Sequence, residues 1–198
     1  MEAAVDPHIR IGEAPRAMEA VQLETAKDAR RVVAARGGDR AAFGQLYERY
    51  SRMVHGILLA RVPAVDVADL VQDVFLLALR QLHTLREPAA FGGWLAQITR
   101  NRANDYYRRG PDESELDETK SGGAAAPNAG REEALAVLAV IRALPEAYRE
   151  PLILRLVEGM TGPEIAARTG LTPGSVRVNL HRGMQQLREK LGRSEGNE

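Results

Sequence analysis

The sequence predicts an all-α protein made of two small helical domains, a helical bundle and a helix-turn-helix domain, joined by a flexible linker. Three observations carry that expectation. Apolar residues recur at helical spacing in segment after segment. A composition of 44% hydrophobic but only 5% aromatic residues suits modest helical cores and little else. Residues 111–130, PDESELDETKSGGAAAPNAG, have the make-up of an unfolded tether, acidic first and then rich in Gly, Ala and Pro.

The totals set further bounds. Cysteine is absent, which excludes disulfides and thiol chemistry and is compatible with a reducing cytosol. No apolar run approaches the ~20 residues that a membrane span needs, and the first thirty residues do not read as a secretory signal. A cytoplasmic protein with no direct membrane insertion is expected. Net charge is zero, yet it is unevenly spread: residues 38–110 carry ten Arg against seven acids, 136–192 carry eight Lys and Arg against five, and 111–135 carry seven acids against two bases. Two mildly basic blocks flank an acidic one, a distribution that suits nucleic acid. The four histidines, His8, His55, His83 and His181, are scattered, and neither a nucleophile–base pair nor metal-ligand spacing is present. No catalytic residue, metal or cofactor is therefore assigned, and the protein is not expected to be an enzyme.

Taken in order, residues 1–27 read as a mobile N-terminal extension whose later part is helix-compatible. A helical pattern starts near Asp28 and is interrupted at Gly37-Gly38. Asp39 can cap the next helix, where Phe43, Leu46, Tyr47, Tyr50, Val54, Ile57 and Leu58 recur, and Pro63 ends it. Asp66 can cap a third, from Val67 to about Leu82. Its core stripe is Val67, Leu70, Val71, Val74, Phe75, Ala78 and Leu82, and its opposite face gathers Asp69, Gln72, Asp73, Leu76 and Arg80. A solvated face explains the charges; Leu76 among them fits a protein contact and, equally, one of the single exposed leucines common on protein surfaces. A loop from His83 to Ala90 leads into a fourth helix, Phe91 to Arg109. There Phe91, Trp94, Leu95, Ile98 and Tyr106 share one face, and Gln97, Arg100, Asn101, Asn104, Tyr107 and Arg108 the other. Amides, arginines and an aromatic interleaved suit nucleic acid, because Arg neutralises phosphate, Asn reads base edges and Tyr stacks; a plain polar surface helix is the bland alternative.

Beyond the linker, Arg131 to Leu144 is helical with Leu135, Leu138, Ile141 and Leu144 inside, Pro145 starts a turn, and Pro151 can sit in the first turn of the next helix. Thr161 followed by Glu164 is a capping-box signature, Gly170 supplies the left-handed position that ends a short helix, and Thr172-Pro173 cap and open another. In that last helix Val176, Leu180, Met184, Leu187 and Leu191 form one stripe, while Val178, His181, Arg182 and Gln185 face away with Arg177 on the flank. Two helices, a tight Gly turn and a basic second helix are the helix-turn-helix plan, in which the second helix enters the major groove. Gly183 in mid-helix costs about 1 kcal/mol against Ala. Residues 193–198 are a polar tail.

The pieces together resemble the extracytoplasmic-function group of bacterial sigma factors, the promoter-reading subunits of RNA polymerase. Asp69-Leu-Val-Gln-Asp-Val-Phe75 is similar to the family's region 2.2. Phe91-Gly-Gly-Trp-Leu-Ala-Gln-Ile-Thr-Arg-Asn101 through Asp105-Tyr-Tyr-Arg-Arg109 is similar to regions 2.3 and 2.4. Leu144-Pro145 onward, through Glu158-Gly, Glu164-Ile-Ala166 and Ser175-Val-Arg177 to Leu180-His-Arg182, is similar to region 4.

The resemblance implies a division into an extension (1–27), region 2 (28–110), an acidic linker (111–130), region 4 (131–192) and a tail (193–198). It implies that Asp69, Gln72, Asp73 and Leu76 dock on the β′ coiled coil of core RNA polymerase. Arg86, Phe91, Gln97, Arg100, Asn101, Asn104 and Arg108 would meet the −10 element, where a flipped base costs a few kcal/mol and is repaid by a fitted pocket. Ser175, Arg177, Val178, Asn179, His181 and Arg182 would read the −35 element, with Val178 near a thymine methyl. Core polymerase (through its β′ coiled coil and β flap), promoter DNA and an anti-sigma factor are the partners implied. Asn179, Gly183 and Gln185 stand where many members have Arg, Ala and Arg, so the −35 contact is expected to differ. The alternative is an autonomous helix-turn-helix regulator acting on duplex DNA without polymerase, which needs neither the Asp69–Leu76 face nor the Trp94 helix.

Overall fold

The structure, a computed structural model, describes residues 14–109 and 129–195. Most of the linker, the first thirteen residues and the last three, about which the sequence raised expectations, lie outside the described residues. Eight α-helices are present among those described: α1 (Ala14–Arg36), α2 (Arg40–Leu59), α3 (Val67–Gln81) and α4 (Phe91–Arg109) form one bundle. A second bundle holds α5 (Ala129–Arg142), α6 (Glu146–Leu156), α7 (Gly162–Thr169) and α8 (Pro173–Glu195).

In the first bundle, α1 and α2 form a hairpin closed at Gly38, whose φ of 95° is open to a residue without Cβ. Asp39 caps α2, its side chain accepting from the Ala41 and Ala42 amides at 2.9 and 3.0 Å. Leu46, Met53, Val54, Ile57 and Leu58 of α2 are fully buried against Val74 and Ala78 of α3 and Leu95 of α4. The boundary expected at residue 28 falls inside α1, which is one helix from Ala14 to Arg36. The reason is local. Asp28 is 2% exposed and accepts from Arg31, Arg49 and the Tyr50 hydroxyl at 2.8, 2.8 and 2.9 Å, so the middle of α1 is pinned to α2 by a satisfied carboxylate. Burial and the Asp28 charge together push the Tyr50 hydroxyl well above its ordinary pKa.

Two expectations about helix starts are corrected. Asp66 stands at the N-cap of α3 without a side-chain cap bond; its carboxylate accepts instead from the Tyr106 hydroxyl at 2.8 Å, tying α3 to α4 and raising that phenol to about 12. Pro151 is not in the first turn of its helix: α6 starts at Glu146, straight after Pro145, and Pro151 lies inside it. The loop from His83 to Ala90 is built from two short 3-10 turns, Leu82–Thr84 and Pro88–Ala90.

In the second bundle, Ile141, Leu144, Leu152, Ile153, Leu154 and Ile165 are fully buried, each side chain worth about 1.5–3 kcal/mol of transfer. Leu135, expected inside, is 50% exposed, and the core of α5 starts at Leu138. Helix α8 comes so close to α6 that a methyl on Gly183 would lie 2.9 Å from Leu152 Cδ1 and 3.1 Å from Tyr148 Cβ.

The two bundles, expected as separately folded lobes, rest against one another. Helix α2 lies on α6, and α4 and α1 lie on α7. A methyl on Gly56 would meet Leu154 Cδ2 at 2.7 Å, and one on Gly92 would meet the Arg168 carbonyl oxygen at 2.8 Å. From α5, Arg142 donates to the Leu59 and Val62 carbonyls at 2.7–2.9 Å, satisfying the open C-terminal end of α2. His55 Nδ1 lies 2.6 Å from Glu158 Oε1, and Arg52 donates to the Glu158 carbonyl.

Candidate nucleic-acid and polymerase interfaces

The helix-turn-helix is built as its local chemistry dictates. The Thr161 amide and hydroxyl donate to Glu164 Oε2 at 2.9 and 2.8 Å, while the Glu164 amide donates back to Thr161 Oγ1 at 3.4 Å. Burial pushes the Glu164 carboxyl up; the Thr161 amide and hydroxyl bonds and the nearby Arg168 charge outweigh it and hold the group below its ordinary range. Gly170 ends α7 at φ 76°, and the Ser175 amide donates to Thr172 Oγ1 at 3.1 Å to start α8. Val176 and Leu187 are buried, with Leu180, Met184 and Leu191 packed at the edge of the core. The opposite side is left to solvent: Arg177, Val178, His181, Arg182 and Gln185 are exposed. Asn179 is half-buried, and the exposed Ser175 hydroxyl is engaged with Thr172 Oγ1 at 2.8 Å. Such a face can carry two arginines and an apolar contact to a groove without rearranging.

On α4, Gln97, Asn101, Asn104 and Arg108 are exposed, as is Arg86 in the preceding turn. Gln97 Nε2 donates to Asn101 Oδ1 at 2.9 Å, and Arg108 pairs with Asp105 at 2.8 Å. Two members of the predicted set stand apart. Phe91 is 0% exposed, sandwiched edge-on to Tyr50 and tilted on Trp94 at 5.1 and 5.8 Å, so it holds the start of α4 and is withdrawn from direct DNA contact. Arg100 is half-buried and turned to the other bundle: its Nη2 donates to Glu150 Oε1 at 2.6 Å, its Nε to Glu150 Oε2 at 3.1 Å, and Nη2 reaches the Thr169 carbonyl at 3.3 Å.

On α3, Asp69, Gln72, Asp73 and Leu76 are all exposed, with Leu76 at 54%. Asp73 accepts from Arg102 of α4 at 2.6 Å. Leu79, passed over in the sequence, is 47% exposed and stands three residues beyond Leu76 on the same side. Its absence from the buried stripe was the signal available.

Fold and surfaces define a two-bundle, helix-turn-helix protein with an exposed basic face on α8 and a separate exposed face of mixed character on α3. Comparison with known proteins narrows this. Residues 46–110 match the family model "Sigma-70 region 2" and residues 134–187 match "Sigma-70, region 4". The chain is 33% identical over 169 residues to the ECF RNA polymerase sigma-E factor of Escherichia coli K12, covering 78% of this chain and 88% of that one. The same figures hold for the sigma-E factor of Salmonella typhimurium LT2. Among solved structures, CnrH in complex with the cytosolic domain of CnrY superposes with a TM-score of 0.60 at 28% identity, covering 84% of this chain and 97% of that one. The chain belongs to the extracytoplasmic-function family of RNA polymerase sigma factors. Among the described residues no helix is long and apolar enough to cross a membrane.

Proposed function

We propose that this sigma factor binds core RNA polymerase in the cytoplasm, reads the −35 and −10 elements of its promoters and opens them, with no chemistry of its own. The observation that carries the reading is the coexistence, on one chain, of the exposed Asp69, Gln72, Asp73 and Leu76 face on α3 and the exposed Arg177, Val178, His181 and Arg182 face on α8. A regulator acting alone has use for the second and none for the first.

In this reading α3 docks on the β′ coiled coil, with Leu76 supplying apolar area and Asp69, Gln72 and Asp73 the polar rim. The exposed Leu156 and Val157, 46% and 50% accessible, support the β-flap contact of region 4. Helix α8 enters the −35 major groove, its arginines on guanine edges or phosphates and Val178 beside a thymine methyl. Arg86, Gln97, Asn101, Asn104 and Arg108 line the path of the −10 non-template strand, and Arg100 joins them once freed; Phe91 shapes that path from beneath. An anti-sigma factor is an expected partner, in keeping with the complex in which CnrH is seen. The division into residues 28–110, 111–130 and 131–192 is retained for function, with 14–27 now the first half of α1.

The test is co-migration of the purified chain with core polymerase, followed by promoter binding with and without core. A stable complex with core and poor duplex binding alone is the expected result. Tight, specific duplex binding without core contradicts it.

A further inference from the structure

One end of the first bundle gathers arginines that no carboxylate pairs with among the described residues. The Gly37-Gly38 turn puts the last turn of α1 and the first of α2 at this end, and α3 runs back to it. Arg36 Nε donates to the Leu82 carbonyl at 3.0 Å, so the end of α1 also meets the turn that follows α3. Arg36, Arg40, Arg80 and Arg86 are all exposed there. Arg40, Arg80 and Arg86 have no side-chain hydrogen bond or ion pair among the described residues. The acids beside them in the chain are turned to the backbone. Asp39 caps the Ala41 and Ala42 amides, and Glu87 Oε1 accepts from the Ala89 amide at 3.3 Å. Elsewhere in the bundle the pattern is the opposite: Arg31, Arg49, Arg61, Arg100, Arg102 and Arg108 each hold a carboxylate at 3.1 Å or closer. Helix dipoles favour Arg36 and Arg80, each in a last turn. They disfavour Arg40, which opens α2, so helix electrostatics do not account for the cluster.

We infer that this end is a phosphate track for the unpaired promoter strand beyond the −10 element, with Arg86 at its near edge and Arg80, Arg36 and Arg40 carrying the strand across the ends of α3, α1 and α2. The inference rests on the −10 assignment of α4 and Arg86 made above. Its direction follows from the topology. The chain leaves α4 at Arg109 toward region 4, the reader of the upstream −35 element, and the arginine end lies the full 19 residues of α4 away. The strand that reaches it is therefore the one running toward the start site. Guanidinium forks take phosphate oxygens whatever the base, so the track adds affinity without sequence preference. Each phosphate neutralised on a single strand steepens the fall of log affinity with log salt by about 0.7.

The test uses holoenzyme reconstituted from the full chain and two fluorescent non-template strands of a promoter found by run-off transcription. The short strand stops at the end of the −10 element, and the long one is extended by about six nucleotides toward the start site. The variant is Arg40→Ala with Arg80→Ala, which removes exposed, unbonded heads and leaves the Arg36–Leu82 bond in place. Parent holoenzyme should bind the long strand more tightly than the short one and with a steeper salt dependence. The variant should lose about fivefold or more on the long strand, with a salt slope shallower by about 1, and hold the short strand as the parent does. Arg40→Lys with Arg80→Lys keeps the charge and should restore most of the loss. Long-strand affinity and slope equal to the parent's overturn the track. Equal losses on both strands overturn it too, by placing these arginines in the −10 site itself. So does a fall in affinity for core polymerase with strand binding per holoenzyme unchanged, which makes this end a protein contact. Separately, Asn104→Ala with Arg108→Ala should weaken both strands alike. No loss there sinks the −10 assignment, while the difference between long and short strands in the Arg40 and Arg80 variant still reads the track.

Discussion

Arg100 and Glu150 form a two-pronged ion pair between the bundles, at 2.6 Å from Nη2 and 3.1 Å from Nε. Glu150 serves a second arginine as well, Arg61 at 3.1 Å, so a single buried carboxylate joins the end of α2, the polar side of α4 and the start of region 4. Truncating one member of such a group leaves the others uncompensated, at about 3–5 kcal/mol for a fully buried pair. The arginines here are about one-fifth exposed, which brings the expected loss from Glu150→Ala to about 1–3 kcal/mol in chemical denaturation of the full chain.

Gly183 should not be replaceable at a profit. Alanine would gain about 1 kcal/mol of helix propensity, but its methyl would press on Leu152 and Tyr148, and Leu152 is fully buried. Overpacking costs about 1–3 kcal/mol, so Gly183→Ala should lower the melting temperature of region 4 by several degrees. A rise would show that α6 and α8 are less tightly seated than described.

The capping box at Thr161 carries a pH dependence with a definite sign. Glu164 titrates below its ordinary value of 4.5 in the folded protein, so its contribution is fully present above that value and fades as pH falls through the folded pKa. Thermal melts from pH 6 down to 3 should therefore show a falling melting temperature. Glu164→Gln should flatten part of that slope, and Thr161→Ala should cost about 1 kcal/mol at neutral pH. A slope unchanged by Glu164→Gln would remove the carboxylate from the cap's energetics.

These features divide what local chemistry announces from what only the assembled chain reveals. The Asp39 cap, the Thr161–Glu164 box, the turn at Gly170 and the stripe of α8 were legible because each is settled within a few residues. Pro151 was misplaced because Pro145 and Pro151 both fit a helix start, and packing chose between them. Leu135 obeys the apolar period of α5 yet lies beyond the reach of the core. Phe91 shares the inward face with Leu95 and Ile98 by its spacing, and only the family resemblance sets it among the −10 residues. The Arg100–Glu150 pair spans fifty residues of chain, a distance over which no periodicity speaks; the Gly92-Gly93 dipeptide was its one local trace.

Polymerase docking can be separated from folding. Gln72→Ala with Leu76→Ala alters only exposed atoms of α3, so helicity should persist while affinity for core polymerase falls by about tenfold, the loss of one well-buried apolar anchor. Leu79→Ala should add to that loss. Core affinity equal to the parent's would detach this face from polymerase.

The −35 contact is open to a salt titration. Arg177→Ala and Arg182→Ala should each weaken holoenzyme binding to its promoter, and each arginine on a phosphate should lower the slope of log affinity against log salt by about 1. A slope unchanged in both would place them on base edges, and binding unchanged in both would take α8 out of the groove.

The central claim is that the chain opens promoters as a subunit of polymerase, and permanganate footprinting of reconstituted holoenzyme on promoters found by run-off transcription of genomic DNA tests it most directly. Thymines around the start site should become reactive only when chain and core are both present, and much less so with Asn101→Ala. Duplex bound tightly and specifically by the chain alone, with no thymine exposed when core is added, would contradict it.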